Sequence, residues 1–255
     1  MTPTWFLAWV DVGRNFGGSG DTLSLQLDDA DHPHIAYGGA DGLYYAWHDG
    51  ATWQRELVHG AIAVGTCSLA LDSAGDPHIS YYDNTHDNLR YARLTGTTWI
   101  STTVDDADRV GHDNALALDS ADQPHIAYAY VTPDYPQQGA LRYATLNGST
   151  WLTVTVDASS DRVGSAASLA LDSQDAPHIS YYDATDDDLK YAWLSNTTWI
   201  STAVDTQGNV GSATSLNLDS GDLPHIAYYD STNRDLKYAV LSGATWISET
   251  VDDTV

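Results

Sequence analysis

The chain has 255 residues and carries 10 Lys and Arg against 35 Asp and Glu, a formal net charge of −25. Such an excess of negative charge argues against nucleic acid or an anionic membrane as a partner, because both attract positive surfaces. Hydrophobic residues make up 42%, enough to bury a core. No apolar run approaches the roughly 18 residues of a membrane span, and the single cysteine, Cys67, excludes an internal disulfide framework and a cysteine-built zinc site.

The acids are almost all aspartate: only Glu56 and Glu249 are glutamates, and Lys190 and Lys237 are the only lysines. Glu and Lys favour helices, whereas Asp belongs in turns. Thr, Tyr, Trp and Val, which favour strands, are abundant. The composition therefore predicts an all-β chain.

In chain order, a first predicted strand, Thr4–Asp11, leads through a crossing loop, ending about Gly18, into a unit that occurs five times. The segment Pro-His-Ile-(Ser/Ala)-Tyr places histidines at His34, His78, His125, His178 and His225. Six residues before each stands an aspartate: Asp28, Asp72, Asp119, Asp172 and Asp219. After each come Leu-x-Tyr-Ala, at Leu43, Leu89, Leu141, Leu189 and Leu236, and a Thr-Trp pair ending in Trp53, Trp99, Trp151, Trp199 and Trp246. The fourth unit reads as four strands: Ser168–Asp172, Pro177–Asp183, Leu189–Leu194 and Thr198–Val204. Short alternating runs separated by Asp, Gly, Asn and Ser are hairpin chemistry, and the proline sits at a strand start, where no ladder donor is needed.

Four antiparallel strands repeated this way predict a five-bladed β-propeller in one domain spanning 1–255. Its blades cover about 22–59, 66–105, 114–157, 167–205 and 214–252, with 1–20 as an extra outer-type strand and crossing loop. Thr4–Asp11 and Thr245–Asp252 both read as fourth strands. One of them closes the ring as a clasp, adds to an edge, or continues a longer array. A free edge invites self-association through the terminal strands.

The pattern SLALDSxxxPHISYYDxxxxDLKYA, cleanest at 168–192, resembles a bacterial family of short-repeat β-propellers. The resemblance covers nearly the whole chain. It implies the propeller architecture and a secreted or surface setting, but no particular activity.

A catalytic site needs distinct roles in one place, whereas the motif histidines supply one residue type five times. They read as structural imidazoles bonded to a carbonyl or hydroxyl, with an axial ring holding a metal or anion as the alternative. The aspartates before them read as turn caps. The acidic turns Asp83–Asp87, Asp183–Asp187 and Asp230–Asp235 present calcium-type oxygen ligands but lack EF-hand spacing. No cofactor is expected beyond that calcium alternative. The Tyr pairs of strand two and the strand-four tryptophans read as blade packing.

A single site is expected where the repeats differ. His112, Asp113 and Asn114 replace the small residues that enter strand one in the fourth unit, and the hairpin Tyr130–Gly139 is the longest. Gln26 and Asn217 stand where the middle blades have alanine, in blades expected to be neighbours round the ring, so their amides could share a polar ligand. Trp47 and Trp193 occupy a strand-three position held elsewhere by Arg93, Thr145 and Val240. They suit either sugar stacking or blade packing. Drift in a duplicated array is the alternative for all of these.

No phosphate loop, nucleophile elbow or zinc-protease motif is present, and two glutamates make a Glu-based glycosidase pair implausible. The expected function is a binding module for a glycan or another small extracellular ligand. The alternatives are a polysaccharide lyase or hydrolase with an asymmetric His/Tyr/Asp cleft, and a protein-interaction platform of a larger surface protein. Met1-Thr-Pro-Thr-Trp lacks the marks of a secretion signal, while the acidity fits an extracellular or cell-surface location.

Overall fold

The computed structural model describes residues 22–39, 41–107, 109–132 and 138–252. Among them there is no helix; twenty strands form five separate four-stranded antiparallel sheets. The first blade is β1 (Leu23–Leu27), β2 (Pro33–Gly38), β3 (Gly42–His48) and β4 (Trp53–Gly60). The second is β5 (Val64–Leu71), β6 (Pro77–Asp83), β7 (Asn88–Thr95) and β8 (Thr98–Asp105). The third is β9 (Val110–Leu118), β10 (Pro124–Val131), β11 (Gly139–Asn147) and β12 (Thr150–Asp157). The fourth is β13 (Val163–Leu171), β14 (Pro177–Asp183), β15 (Asp188–Ser195) and β16 (Thr198–Asp205). The fifth is β17 (Val210–Leu218), β18 (Pro224–Asp230), β19 (Asp235–Ser242) and β20 (Thr245–Asp252). The chain is a five-bladed β-propeller, each blade pairing its strands in sequence order. The strand expected at Thr4–Asp11, and the tip of the Tyr130–Gly139 hairpin, lie outside the described residues.

Strand one begins earlier than its Ser-Leu core implied. In the fourth blade it starts at Val163, and its register shifts twice before Ser168. The cause is a bulge: Gly164 (φ +104°) and Ala166 (φ +51°) both occupy the left-handed region. Glycine is required there for space as well, since a Cβ on Gly164 would sit 2.6 Å from the Leu141 Cα of the preceding blade.

That close approach is how the blades meet. The strand-three leucines Leu43, Leu89, Leu141 and Leu189 are 0% exposed. Each packs with its Tyr two residues on against strands one and two of the following blade, as Leu189 and Tyr191 do against Val210, Leu216 and Ile226. Polar bonds fix the junctions. Ser24, Ser68 and Ser168 each accept a backbone N–H from a strand-one leucine of the next blade, at 3.0 Å. At the ends of the fourth strands, Asp105, Asp157 and Asp205 receive Arg142, Lys190 and Lys237 at 2.9, 2.6 and 2.5 Å. Tyr128, Tyr181 and Tyr228 donate to the same carboxylates. Burial works to raise the Asp157 pKa, but Lys190, Ser159 and Tyr181 outweigh it and hold it at about 2.

Among the described residues, blades one and five do not pack as neighbours. Leu236, the fifth-blade counterpart of the buried leucines, is 46% exposed, and Leu25 on β1 is 54% exposed where its counterpart Leu69 is 1%. These are the two faces that would form a further junction, and no other described blade covers them. Gln26 and Asn217 are thus not brought together.

The same Leu-x-Tyr-Ala motif therefore has two different environments in one molecule. Leu141→Ala is expected to destabilise by about 2–5 kcal/mol, and Leu236→Ala by under about 1 kcal/mol, measured by urea unfolding. Equal losses would contradict the junction packing.

Candidate functional site

Every motif histidine is held in the same way. Its Nδ1 hydrogen-bonds the Tyr of Leu-x-Tyr-Ala on the neighbouring strand, in the pairs His34–Tyr45, His78–Tyr91, His125–Tyr143, His178–Tyr191 and His225–Tyr238. Its Nε2 lies 3.4–3.5 Å from the aspartate six residues earlier. That aspartate's other oxygen caps the turn; Asp172 Oδ1 accepts the N–H groups of Gln174 and Ala176. The structural reading of both residues therefore holds. Burial lowers the pKa of His78, His125 and His178 and raises that of Tyr91, Tyr143 and Tyr191. These histidines are neutral near pH 7 and tethered.

The acidic turns spend their oxygens similarly. Asp83, Asp183 and Asp230 each accept two turn N–H groups through Oδ1. Among the described residues no group of three or more His, Cys, Asp or Glu is arranged to hold a metal ion.

The residues singled out by broken symmetry divide between two ends of the propeller. His112, Asp113 and Asn114 lie near the start of β9. Asn114 is buried and fully engaged: its Nδ2 donates to Thr66 and Gly111, and its Oδ1 accepts from Ser80. Asp113 accepts the Ala166 N–H of the next blade at 3.0 Å. Both are junction pins. His112 packs on Tyr82 with ring centroids 3.9 Å apart, and burial lowers its pKa.

Gln26, Asn217, Trp47 and Trp193 lie at the other end, level with the motif histidines: Gln26 pairs His34, Asn217 pairs His225, and Trp193 pairs His178. Asn217 is exposed on the fifth blade. Gln26 lines a polar cavity of about 470 Å³ between blades one and two, with Asp28, Asp29, His34, Asp72 and Gly75.

That cavity exists because a clamp is missing. At the other three junctions, an aspartate in the left-handed region takes both the N–H and the hydroxyl of a serine in the preceding blade: Asp122 with Ser73, Asp175 with Ser120, Asp222 with Ser173. Between blades one and two, Gly75 replaces the aspartate and Asp29 replaces the serine. A carboxylate at position 75 would face the charge of Asp29.

Between blades four and five an aromatic groove of about 430 Å³ opens beside an intact clamp. Residues 191 and 193 of β15 share one face, so Tyr191 and Trp193 stack, with centroids 5.5 Å apart and planes 27° from parallel. Trp246 of the fifth blade meets Tyr191 edge-on at 5.1 Å. Trp193 is half-buried, lining the groove while also packing on the junction core. Asp222, Thr202 and His178 complete the polar part of the wall. Hydrogen bonds from the Ser173 hydroxyl and N–H lower the Asp222 pKa, keeping it ionised. In the third blade the indole N–H of Trp151 is taken by Thr102, and in the second Trp99 donates to Glu56. The indole N–H of Trp246 has no partner among the described residues. Trp47 repeats the Trp193 arrangement in the first blade, stacking on Tyr45 at 5.3 Å and 20°.

Sequence reasoning found Trp193 and Trp47 but missed Tyr191, Trp246 and Asp222. The first two belong to the repeat and carry no local oddity; only the packing of one blade on the next makes them a wall. The signal for Asp222 was present in the Asp-Ser-x-Asp spacing of its turn.

No protein-family model and no curated protein matches the sequence. Solved structures do match it in fold. A protein of unknown function from Dyadobacter fermentans is similar at 12% identity and TM-score 0.68, over 94% of this chain and 85% of that one. A polysaccharide lyase of family PL25, an ulvan lyase bound to -[GlcA(1-4)Rha3S]-, is similar at 14% identity and TM-score 0.65, over 94% and 72%. A Hadza microbial sialidase is similar at 12% identity and TM-score 0.56, over 91% and 58%. At these identities the likeness is one of fold.

Because the folded chain favours neutral His78, His125 and His178, these groups contribute stability above the ordinary imidazole pKa of about 6.5 and lose it as pH falls through that value. Asp157, depressed to about 2, withdraws its contribution at lower pH still. The melting temperature is expected to hold from pH ~8 to ~7 and to fall progressively below pH ~6.5. A melting temperature unchanged down to pH ~5 would contradict the assignment of buried neutral imidazoles.

Proposed function

We propose that this protein is a carbohydrate-binding propeller that recognises glycans in the grooves between its blades, chiefly the one between blades four and five. The observation that carries this reading is the Trp193 platform. It is a half-buried indole held flat by Tyr191, at the wall of a groove of about 430 Å³ whose lining also includes the Asp222 carboxylate and Trp246. The C–H face of a pyranose is apolar and suits an aromatic face, while its hydroxyls need fixed donors and acceptors. Asp222 supplies a fixed acceptor, and Trp246 a second aromatic wall.

The groove is aromatic-walled, concave and pre-formed, as small-ligand sites are. Trp47 and Tyr45 build a related platform in the first blade, so one molecule offers two similar walls, and modest affinity at each multiplies on a polymeric ligand. A polysaccharide lyase and a sialidase are among the proteins of similar fold, which supports a glycan ligand and an extracellular or cell-surface setting by analogy of fold. The family resemblance of the repeat points to the same secreted or surface setting.

Trp193→Ala is expected to weaken glycan binding at least about tenfold, equivalent to roughly 1.4 kcal/mol. Val240→Ala, at the same position of the fifth blade, should leave binding unchanged. The measurement is quenching of intrinsic tryptophan fluorescence during titration with oligosaccharides. Unaltered binding by the Trp193 variant would overturn the assignment.

A further inference from the structure

We infer that the groove between blades four and five selects uncharged or amino-bearing sugars and rejects those carrying uronate or sulfate groups. This rests on the carbohydrate-binding reading and adds the chemical class of the ligand. The argument is one of charge at close quarters. No lysine or arginine lines the groove. Its one basic residue, His178, is occupied on both sides, by the Tyr191 hydroxyl at Nδ1 and by Asp172 at Nε2. The groove does present an ionised carboxylate, Asp222, fixed in place by two hydrogen bonds from Ser173.

The lysines nearest in sequence cannot compensate. Lys190 and Lys237 are each drawn to a carboxylate of the preceding blade, Asp157 and Asp205, at 2.6 and 2.5 Å. Neighbouring residues of a strand point to opposite faces, so Lys190 projects away from the face that carries Tyr191 and Trp193. Beyond the groove, the whole molecule carries a net charge of −25, which repels a polyanion before contact.

A sugar acid entering here would lose water from its carboxylate or sulfate, find no cation to replace it, and face a fixed negative charge. A neutral pyranose meets none of those costs. An amino sugar brings its own cation to Asp222, and that contact is charge-assisted. The groove thus differs in chemistry from one suited to the -[GlcA(1-4)Rha3S]- ligand of the lyase with which this chain shares a fold.

The test is a printed array of neutral, amino-sugar, uronate and sulfated oligosaccharides, probed with the intact chain at about 0.01 M and about 1 M salt, which set screening lengths of about 30 Å and 3 Å. Signal is expected on neutral and amino sugars, at least tenfold above that on uronates and sulfates at low salt. The amino-sugar signal should fall at high salt, the neutral signal should stay level, and Trp193→Ala should weaken both at least tenfold. Leu223→Lys introduces a cation at an exposed lining position without disturbing the core, and should raise uronate signal at least tenfold. Wild-type signal dominated by uronate or sulfated glycans and lost in Trp193→Ala would overturn the charge selection while leaving carbohydrate binding standing. An array with no bound glycan of any class would overturn the binding reading itself.

Discussion

The molecule depends on one contact made four times: the strand-three leucine and tyrosine of one blade, covered by strands one and two of the next. A four-stranded sheet of this size buries little by itself. It becomes stable when its second face is also removed from water. The leucines at 43, 89, 141 and 189 are wholly buried because a following blade exists, and Leu236 is half exposed because no blade among the described residues covers it. Glycine at position 164 and its counterparts at 111 and 211, all in left-handed conformation, let the next strand come close enough to complete the contact.

The same contact builds the grooves. The tyrosine that follows each buried leucine is held from one side by the motif histidine and met edge-on by the strand-four tryptophan of the next blade; Tyr45–Trp99, Tyr91–Trp151, Tyr143–Trp199 and Tyr191–Trp246 are four copies of one arrangement. A site then requires only a change at one neighbouring position. Tryptophan at 47 and 193, in place of the arginine and threonine at 93 and 145, turns a packing seam into an aromatic wall. The Asp–Ser clamp decides how each seam is lined. Its presence puts Asp222 at the groove between blades four and five. Its absence, with Gly75 and Asp29, leaves a polar cavity between blades one and two.

Much of this was legible in the sequence. Five copies of Pro-His-Ile-(Ser/Ala)-Tyr fix the number of blades, and the alternation within each copy fixes the strands. A residue repeated in every blade was correctly read as structural, since identical imidazoles tethered between Asp and Tyr cannot divide the tasks of catalysis. What sequence could not supply was everything that depends on which blade lies against which. Gln26 and Asn217 looked like partners because a closed ring would make them neighbours, yet the leucines around Gln26 face solvent. Asn114 looked like a ligand-binding amide, but all its hydrogen-bonding groups are consumed by Thr66, Gly111 and Ser80. Trp246 and Asp222 are ordinary members of the repeat, and only their placement opposite Trp193 gives them a common surface.

The central claim is that one groove, walled by Trp193 and Trp246, is where ligand binds. It is tested most directly by the indole N–H signals of the nine tryptophans, followed in a nitrogen-15 spectrum while a neutral oligosaccharide is titrated in. The account predicts that the Trp246 and Trp193 signals move together with a common saturation curve, while the Trp151 signal, its N–H already bonded to Thr102, stays in place. Movement confined to other tryptophans, with these two unchanged, would contradict it.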